Sequence, residues 1–307
     1  MKKKGFLEIP FGWLFALIVG MFILFLAIYL SIKLINTENT AQNAELAKGI
    51  GILTDPLETG FEEGSVSNLN LATNTRIYNK CEDYGTFGRQ IISTSQQSFG
   101  KWTEIGVDVS FYNKYLFSEN YIEGKNFYIF SKPFEFPFKI ADLIYIIPSG
   151  QQYCFVEAPN DISKEISDLG LNILNVKNFN NCPKTSVKVC FDSSGCDILV
   201  KINEKSVTKQ SEKVFYINNA LMYAAIFSDK EIYECQLKRL MERTSVLSSI
   251  YDQKAILVSQ KNCRTNIDLT GLNNLASSFN NSIDIRAMGS LVDDLNQKYG
   301  AEECKLW

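Results

Sequence analysis

Residues 9–32 read IPFGWLFALIVGMFILFLAIYLSI, 24 consecutive residues without a charge, bounded by Glu8 and Lys33. At about 1.5 Å per residue a helix over this run spans roughly 36 Å, enough for a hydrocarbon core of about 30 Å. A helix of a soluble core carries a polar face; this run has none. A secretory signal has an apolar region of only about 7–15 residues and then a small-residue cleavage site. Ser31–Asn36 offers no such site. The run therefore reads as a transmembrane anchor helix over 11–35, preceded by a short cytosolic segment, 1–10.

Charge sets the expected orientation. Lys2, Lys3 and Lys4 precede the span, whereas only Lys33 follows it closely and Glu38 soon offsets that charge. The positive-inside bias then leaves the N-terminus in the cytosol and the bulk of the chain extracytoplasmic. Trp13 and Tyr29 lie near the two ends of the span, as interfacial aromatics do. Without Lys2, Lys3, Lys4, Lys33 and Glu8 the rest of the chain carries a net charge of about −6, which suits neither nucleic acid nor an anionic lipid surface.

The chain has 307 residues, eight cysteines and no histidine. Missing histidine excludes Ser-His-Asp and Cys-His nucleophile systems, His-ligated zinc or haem, and imidazole pH switching. Cys81, Cys154, Cys182, Cys190, Cys196, Cys235, Cys263 and Cys304 all lie beyond the span, and no Cys-x-x-Cys occurs. An even number of outward-facing cysteines reads as up to four disulfides. Cys190 and Cys196 straddle a turn and are expected to form a local pair. Cys235 and Cys263 bracket a long helix, so each must reach a different element.

Lys4-Gly5-Phe6-Leu7 resembles the processing site of archaeal class III signal peptides, as carried by prepilins and prearchaellins. The resemblance implies cleavage between Gly5 and Phe6, loss of Met1–Gly5, and a helix that survives to pack as a type IV pilin-like anchor. Glu8 would follow the cut by three residues, whereas bacterial prepilins place a Glu at the fifth, and Pro10 comes early. The likeness covers the first 30 or so residues only. Within the span, Gly12, Ala16 and Gly20 fall four apart, and Ala27 and Ser31 repeat that step. Small residues so spaced let a second membrane helix approach closely.

Beyond the span, Asn36–Lys48 favours helix, with Gly49, Gly51 and Pro56 expected to end it. Residues 36–72 thus read as a juxtamembrane helix and linker. An α+β, disulfide-braced extracytoplasmic domain follows, β-rich over 73–220 and helical over 221–307, the second part packed on the first. Expected strands are Thr75–Tyr78, Gln90–Ser95, Asn126–Phe130, Leu143–Ile147 and Tyr153–Glu157. Phe134, Phe136 and Phe138 alternate with Glu135, Pro137 and Lys139, and Pro137 points to an edge or extended loop. Tyr153–Glu157, Ile162–Leu169 and Asn172–Val176 read as strand, helix, strand, with Asn160 or Asp161 as cap and Gly170 as stop. Ser186–Phe191 and Cys196–Ile202 flank Asp192–Gly195 as a hairpin. Ser228–Glu231 has capping-box spacing. Behind it Tyr233, Leu237, Leu240, Thr244, Leu247, Tyr251 and Val258 make a stripe expected to pack on the β-rich part. Helices over Leu272–Phe279 and Asp284–Tyr299 complete the chain.

No catalytic, cofactor-binding or metal-binding set is legible. Ser206-Val207-Thr208-Lys209 fits Ser-x-x-Lys, but the accompanying motifs of that chemistry are out of order. Gly49-Ile50-Gly51 follows no strand and lacks a third glycine. The acidic pairs Glu62-Glu63, Asp293-Asp294 and Glu302-Glu303 are sequence neighbours and point apart on a helix. Asn280-Asn281-Ser282 is a glycosylation sequon, with Asn280 as the acceptor. The expectation is a non-enzymatic structural or binding component of a cell-envelope assembly, with membrane-helix and extracytoplasmic protein partners. The alternatives are an extracytoplasmic hydrolase using carboxylates alone and a ligand-binding subunit of a membrane complex.

Overall fold

The computed structural model describes residues 11–54, 66–98, 100–261, 263, 265, 267–301 and 305–307. The Gly5-Phe6 site and Cys304 lie outside the described residues. A single helix, α1 (Phe11–Leu53), runs through the apolar span and on into the folded head. At about 1.5 Å per residue its 43 residues extend for roughly 64 Å. Residues 12–35 are exposed on every side, while Asn43, Ala47, Ile50 and Gly51 are buried. Steps of four, three and one place these on one helix face.

The helix does not stop at Gly49 or Gly51. Helical hydrogen bonding tolerates a glycine at roughly 1 kcal/mol relative to alanine, and Gly51 has a packing role described below. Residues 66–72, read from the sequence as linker, are already strand.

The first sheet has the order β3-β2-β1-β6-β7-β5, with β4 also on β2. Its strands are β1 (Val66–Glu82), β2 (Arg89–Ser98), β3 (Lys101–Trp102), β4 (Val109–Phe111), β5 (Tyr115–Phe117), β6 (Tyr121–Glu135) and β7 (Lys139–Pro148). All pairs are antiparallel except β5 with β7. Period-two alternation sorts its side chains. Phe127, Ile129, Ile144 and Ile146 face the Ala47–Ile50 stripe of α1. Phe130, Leu143, Tyr145 and Ile147 face the main core. Phe134, Phe136 and Phe138 are all buried there, not at an edge. Pro137 sits in the β6–β7 turn after a cis bond, where no ladder hydrogen bond is required of it.

The second sheet has the order β13-β12-β11-β10-β8-β9. It comprises β8 (Tyr153–Val156), β9 (Leu174–Val176), β10 (Val187–Phe191), β11 (Ile198–Lys201), β12 (Ser206–Lys209) and β13 (Glu212–Phe215). Strand β8, helix α2 (Asn160–Asp168) and β9 form the expected parallel β-α-β unit. Gly170 follows the helix at φ +63°, the left-handed stop that glycine supplies. Pro159 takes the N-cap position and no side chain caps the helix.

The expected hairpin around Asp192–Gly195 is not one. β10 and β11 pair in parallel, Cys190 beside Leu199, so residues 192–197 return the chain to the starting end of its neighbour. A turn-rich linker is compatible with either outcome; the Asp192 contacts described below select the second. The true hairpins are β11–β12 and β12–β13. The second turns on Gln210 and Ser211, both at positive φ, as a two-residue primed turn demands.

Four helices follow among the described residues: α3 (Asn219–Phe227), α4 (Lys230–Ser259), α5 (Thr270–Ser277) and α6 (Ile285–Ala301). Every residue from Ala220 to Phe227 in α3 is buried. Such a short apolar run has no periodicity that separates helix from strand. Tyr145 Oη donates to Ala220 O at 2.8 Å, tying α3 to the first sheet. Tyr233, Leu237, Leu240 and Thr244 of α4 are buried, and Leu247, Tyr251 and Val258 pack partly behind them. The Ser228–Glu231 capping box does not form. Ser228 Oγ donates to Ala224 O, and the Asp229 carboxylate accepts Asn120 N–H instead.

Candidate functional site

The junction between the apolar segment and the head is built from α1, β2, β4 and the loop between β3 and β4. Asn43 is buried, and its Nδ2 donates to Thr103 Oγ1 at 3.0 Å and to Glu104 O at 3.1 Å. Thr94 Oγ1 donates to Asn43 O at 2.8 Å, a carbonyl already within the helix ladder. A Cβ added at Gly106 would lie 2.6 Å from Asn43 Cβ, and one added at Gly51 would lie 2.0 Å from the Phe111 ring. Gly51 therefore lets the helix approach β4, and Gly106 lets the β3–β4 loop approach the helix. At Gly12 and Gly20, by contrast, an added Cβ would meet nothing within 4 Å, and Ala16, Ala27 and Ser31 are equally exposed. Ser31 Oγ bonds back to Ala27 O within the helix. This small-residue stripe touches no other part of the head among the described residues.

The head is cross-braced. Cys81 in β1 bonds Cys235 in α4, Cys154 in β8 bonds Cys182, and Cys190 bonds Cys196. Cys263 is disulfide-bonded as well. The second and third bridges sit with Val156 on the face of the second sheet opposite the main core.

One turn beyond Cys235, Arg239 is fully buried. Its guanidinium donates to the carbonyls of Phe87, Tyr112 and Lys114 at 2.8–2.9 Å and to Gln236 Oε1. The Tyr115 ring lies 4.8 Å from it. Burial pushes its pKa down. Five fixed donors on a planar fork match converging carbonyls better than an ammonium can. The role is structural: Arg239 clamps α4 to the β1–β2 loop and the β4–β5 loop.

The strand order reverses between β8 and β10, and in open α/β sheets ligands gather outside the carboxyl ends at such a point. Glu157 and Asp192 end those two strands, at φ +57° and +56°, a backbone conformation uncommon outside glycine. They do different things. Asp192 Oδ1 accepts Ile202 N–H at 3.1 Å and Asp192 N–H donates to Val200 O at 2.9 Å, so this residue ties the carboxyl end of β10 to that of β11. Glu157 is exposed and lines an open cleft of about 630 Å3 with Lys177, Asn178 and Asn181. Among the described residues that lining holds one carboxylate.

A second, far smaller cavity of about 30 Å3 is lined by Glu212 and Asp229. Both are neutralised, Glu212 by Lys230 at 3.4 Å and Asp229 by Lys209 at 3.6 Å. Ser206 and Lys209 are three apart on a strand and so point to opposite faces. Ser206 is buried while Lys209 pairs with Glu119. Among the described residues no group of three or more Cys, Asp or Glu side chains is placed to hold a metal ion. Asn280 is exposed, and Ser282 of its sequon is buried, donating to Glu234 Oε1 at 2.6 Å.

Compared with known protein families, with curated proteins and with solved structures, the chain gives no significant match.

Proposed function

We propose that this protein is a membrane-anchored extracytoplasmic structural or binding component of a cell-envelope assembly. One observation carries the reading: a single unbroken helix is bare over residues 12–35, uncharged as far as Ile32, and docked into the head from Asn43 onward. Burying those bare side chains needs either lipid or other helices. Because the same helix is bolted to the head, packing of its apolar part against a partner sets the orientation of the head. The oxidised cysteines support exposure to an oxidising compartment.

In this reading the Gly12, Ala16, Gly20, Ala27, Ser31 stripe meets partner helices, and the pilin-like version adds removal of Met1–Gly5. The test is threefold on the native protein. It should resist alkaline carbonate extraction, its head should be degraded by protease added outside intact cells, and it should leave the membrane in mild detergent with protein partners. A carbonate-soluble, protease-protected protein would refute the reading. Intact mass decides the leader, because retention of Met1 removes the pilin-like version alone.

A further inference from the structure

The inner face of the first sheet carries an anomaly where the core ends. Antiparallel register sets Asn68 opposite Tyr128 and Asn70 opposite Asn126, so the four share one face of β1 and β6. Two residues further along β6 the same face delivers Phe130 to the main core. Strands select against asparagine, yet three occupy this continuation of an apolar face. With Gln152 and Asn172 from the loops of the second sheet they line a cleft of about 300 Å3. Among the described residues no Asp, Glu, Lys or Arg lines it. Tyr128 is half-buried, and its Oη donates to Asn172 Oδ1 at 3.1 Å, which fixes the ring in the wall. The side-chain amides of Asn68, Asn70, Asn126 and Gln152 have no hydrogen-bond partner among the described residues.

We propose that this cleft binds a neutral saccharide. A carboxamide holds a donor and an acceptor side by side, which complements adjacent hydroxyls that each donate and accept. An aromatic wall adds an apolar surface for the C–H face of a sugar ring. A charged ligand would find no counter-charge among the described residues of the lining. The volume falls at the lower end of the range for small-ligand sites, about 300–1,000 Å3. The proposal gives a ligand class to the binding role proposed above, yet it requires only the folded head.

The test uses the full chain in a detergent without a sugar headgroup. Cellotetraose, tetra-N-acetylchitotetraose and mannotetraose are titrated by calorimetry and ligand-observed NMR, with tetragalacturonate as the anionic comparison. At least one neutral tetrasaccharide should bind, and Asn70→Ala with Asn126→Ala should weaken it by roughly tenfold or more. Neither side chain is buried or paired, so the melting temperature of the double variant should match the parent. Three outcomes overturn the proposal: no neutral tetrasaccharide binds, tetragalacturonate binds as tightly, or the double variant binds like the parent. Carbonate extraction of the same preparation reports separately on the anchor, so either reading can fail alone.

Discussion

Replacing Gly51 by valine tests whether the apolar helix and the head form one body. A Cβ at position 51 would lie 2.0, 2.3 and 2.8 Å from three carbons of the Phe111 ring. Carbon atoms pack at about 3.5–4.0 Å, so the ring or the helix turn must shift by about 1.5 Å. Forced overpacking of this kind costs about 1–3 kcal/mol. Valine regains only a few tenths of a kcal/mol, roughly, through its better helix propensity. A net loss of about 1–2.5 kcal/mol should fall on local opening of the docked turns, because Ala47 and Ile50 share that contact face. Backbone amide exchange over residues 43–53 should then quicken by about 5–70-fold, whereas carbonate extraction should not change. Adding Gly51→Val to Phe111→Ala should cost nothing further, since the obstructing ring is gone. Unaltered exchange in the single variant, or an equal penalty in both backgrounds, would refute the argument that this contact joins helix to head.

Four further outcomes are expected. Arg239→Ala should destabilise the head by about 3–5 kcal/mol in denaturant unfolding, because buried carbonyls lose their donors as well as their packing, and Arg239→Lys should restore only part of this. Removing Cys81–Cys235, which spans 154 residues, should cost about 5 kcal/mol on the chain-entropy account, against about 2 kcal/mol for Cys190–Cys196, which spans six; equal losses would count against that account. The Lys238 ammonium holds the Asp83 carboxyl below its ordinary range, so the stabilisation is present above the ordinary carboxylate pKa and disappears as pH falls through the lowered one; Asp83→Asn should flatten that acid limb of an unfolding-versus-pH curve. Burial raises the Glu242 carboxyl, the opposite sign, so Glu242→Gln should be more stable than the parent at neutral pH, with the gap closing on acidification.

Several elements are legible in the sequence because their signals are local. The β-α-β unit shows as a 3.6-residue stripe between two apolar runs, and Gly170 marks its stop. The long α4 stripe from Tyr233 to Val258 is a periodicity, and periodicity survives without knowledge of the partner. Sequence and structure part where one residue type serves two purposes. Gly51 reads as a helix stop, but the same missing side chain permits the approach of Phe111. Asp192–Gly195 carries turn composition, and composition says that the chain turns, not which way the next strand runs. Helix α3 is unreadable because it is buried on all sides. The amide cleft is also invisible along the chain: Asn68, Asn70, Asn126 and Asn172 are separated by up to 104 positions and meet only through strand register.

By itself the sequence determined the quantities that depend on neighbours along the chain. These are an apolar run long enough to cross a bilayer, the lack of any imidazole chemistry, cysteines confined to the region beyond that run, and the helical stripes of the C-terminal third. Tertiary structure alone decided how these parts act on one another. It carried α1 past Gly51 into the sheet, joined Cys81 to Cys235 across most of the head, and surrounded Arg239 with carbonyls from three loop residues. It also left five amides facing an open cleft. The physical reason is that secondary structure follows from periodicities of two and 3.6 residues. Close approach, bridging and cleft formation depend instead on which surfaces meet after long loops have closed, and a linear pattern does not encode that.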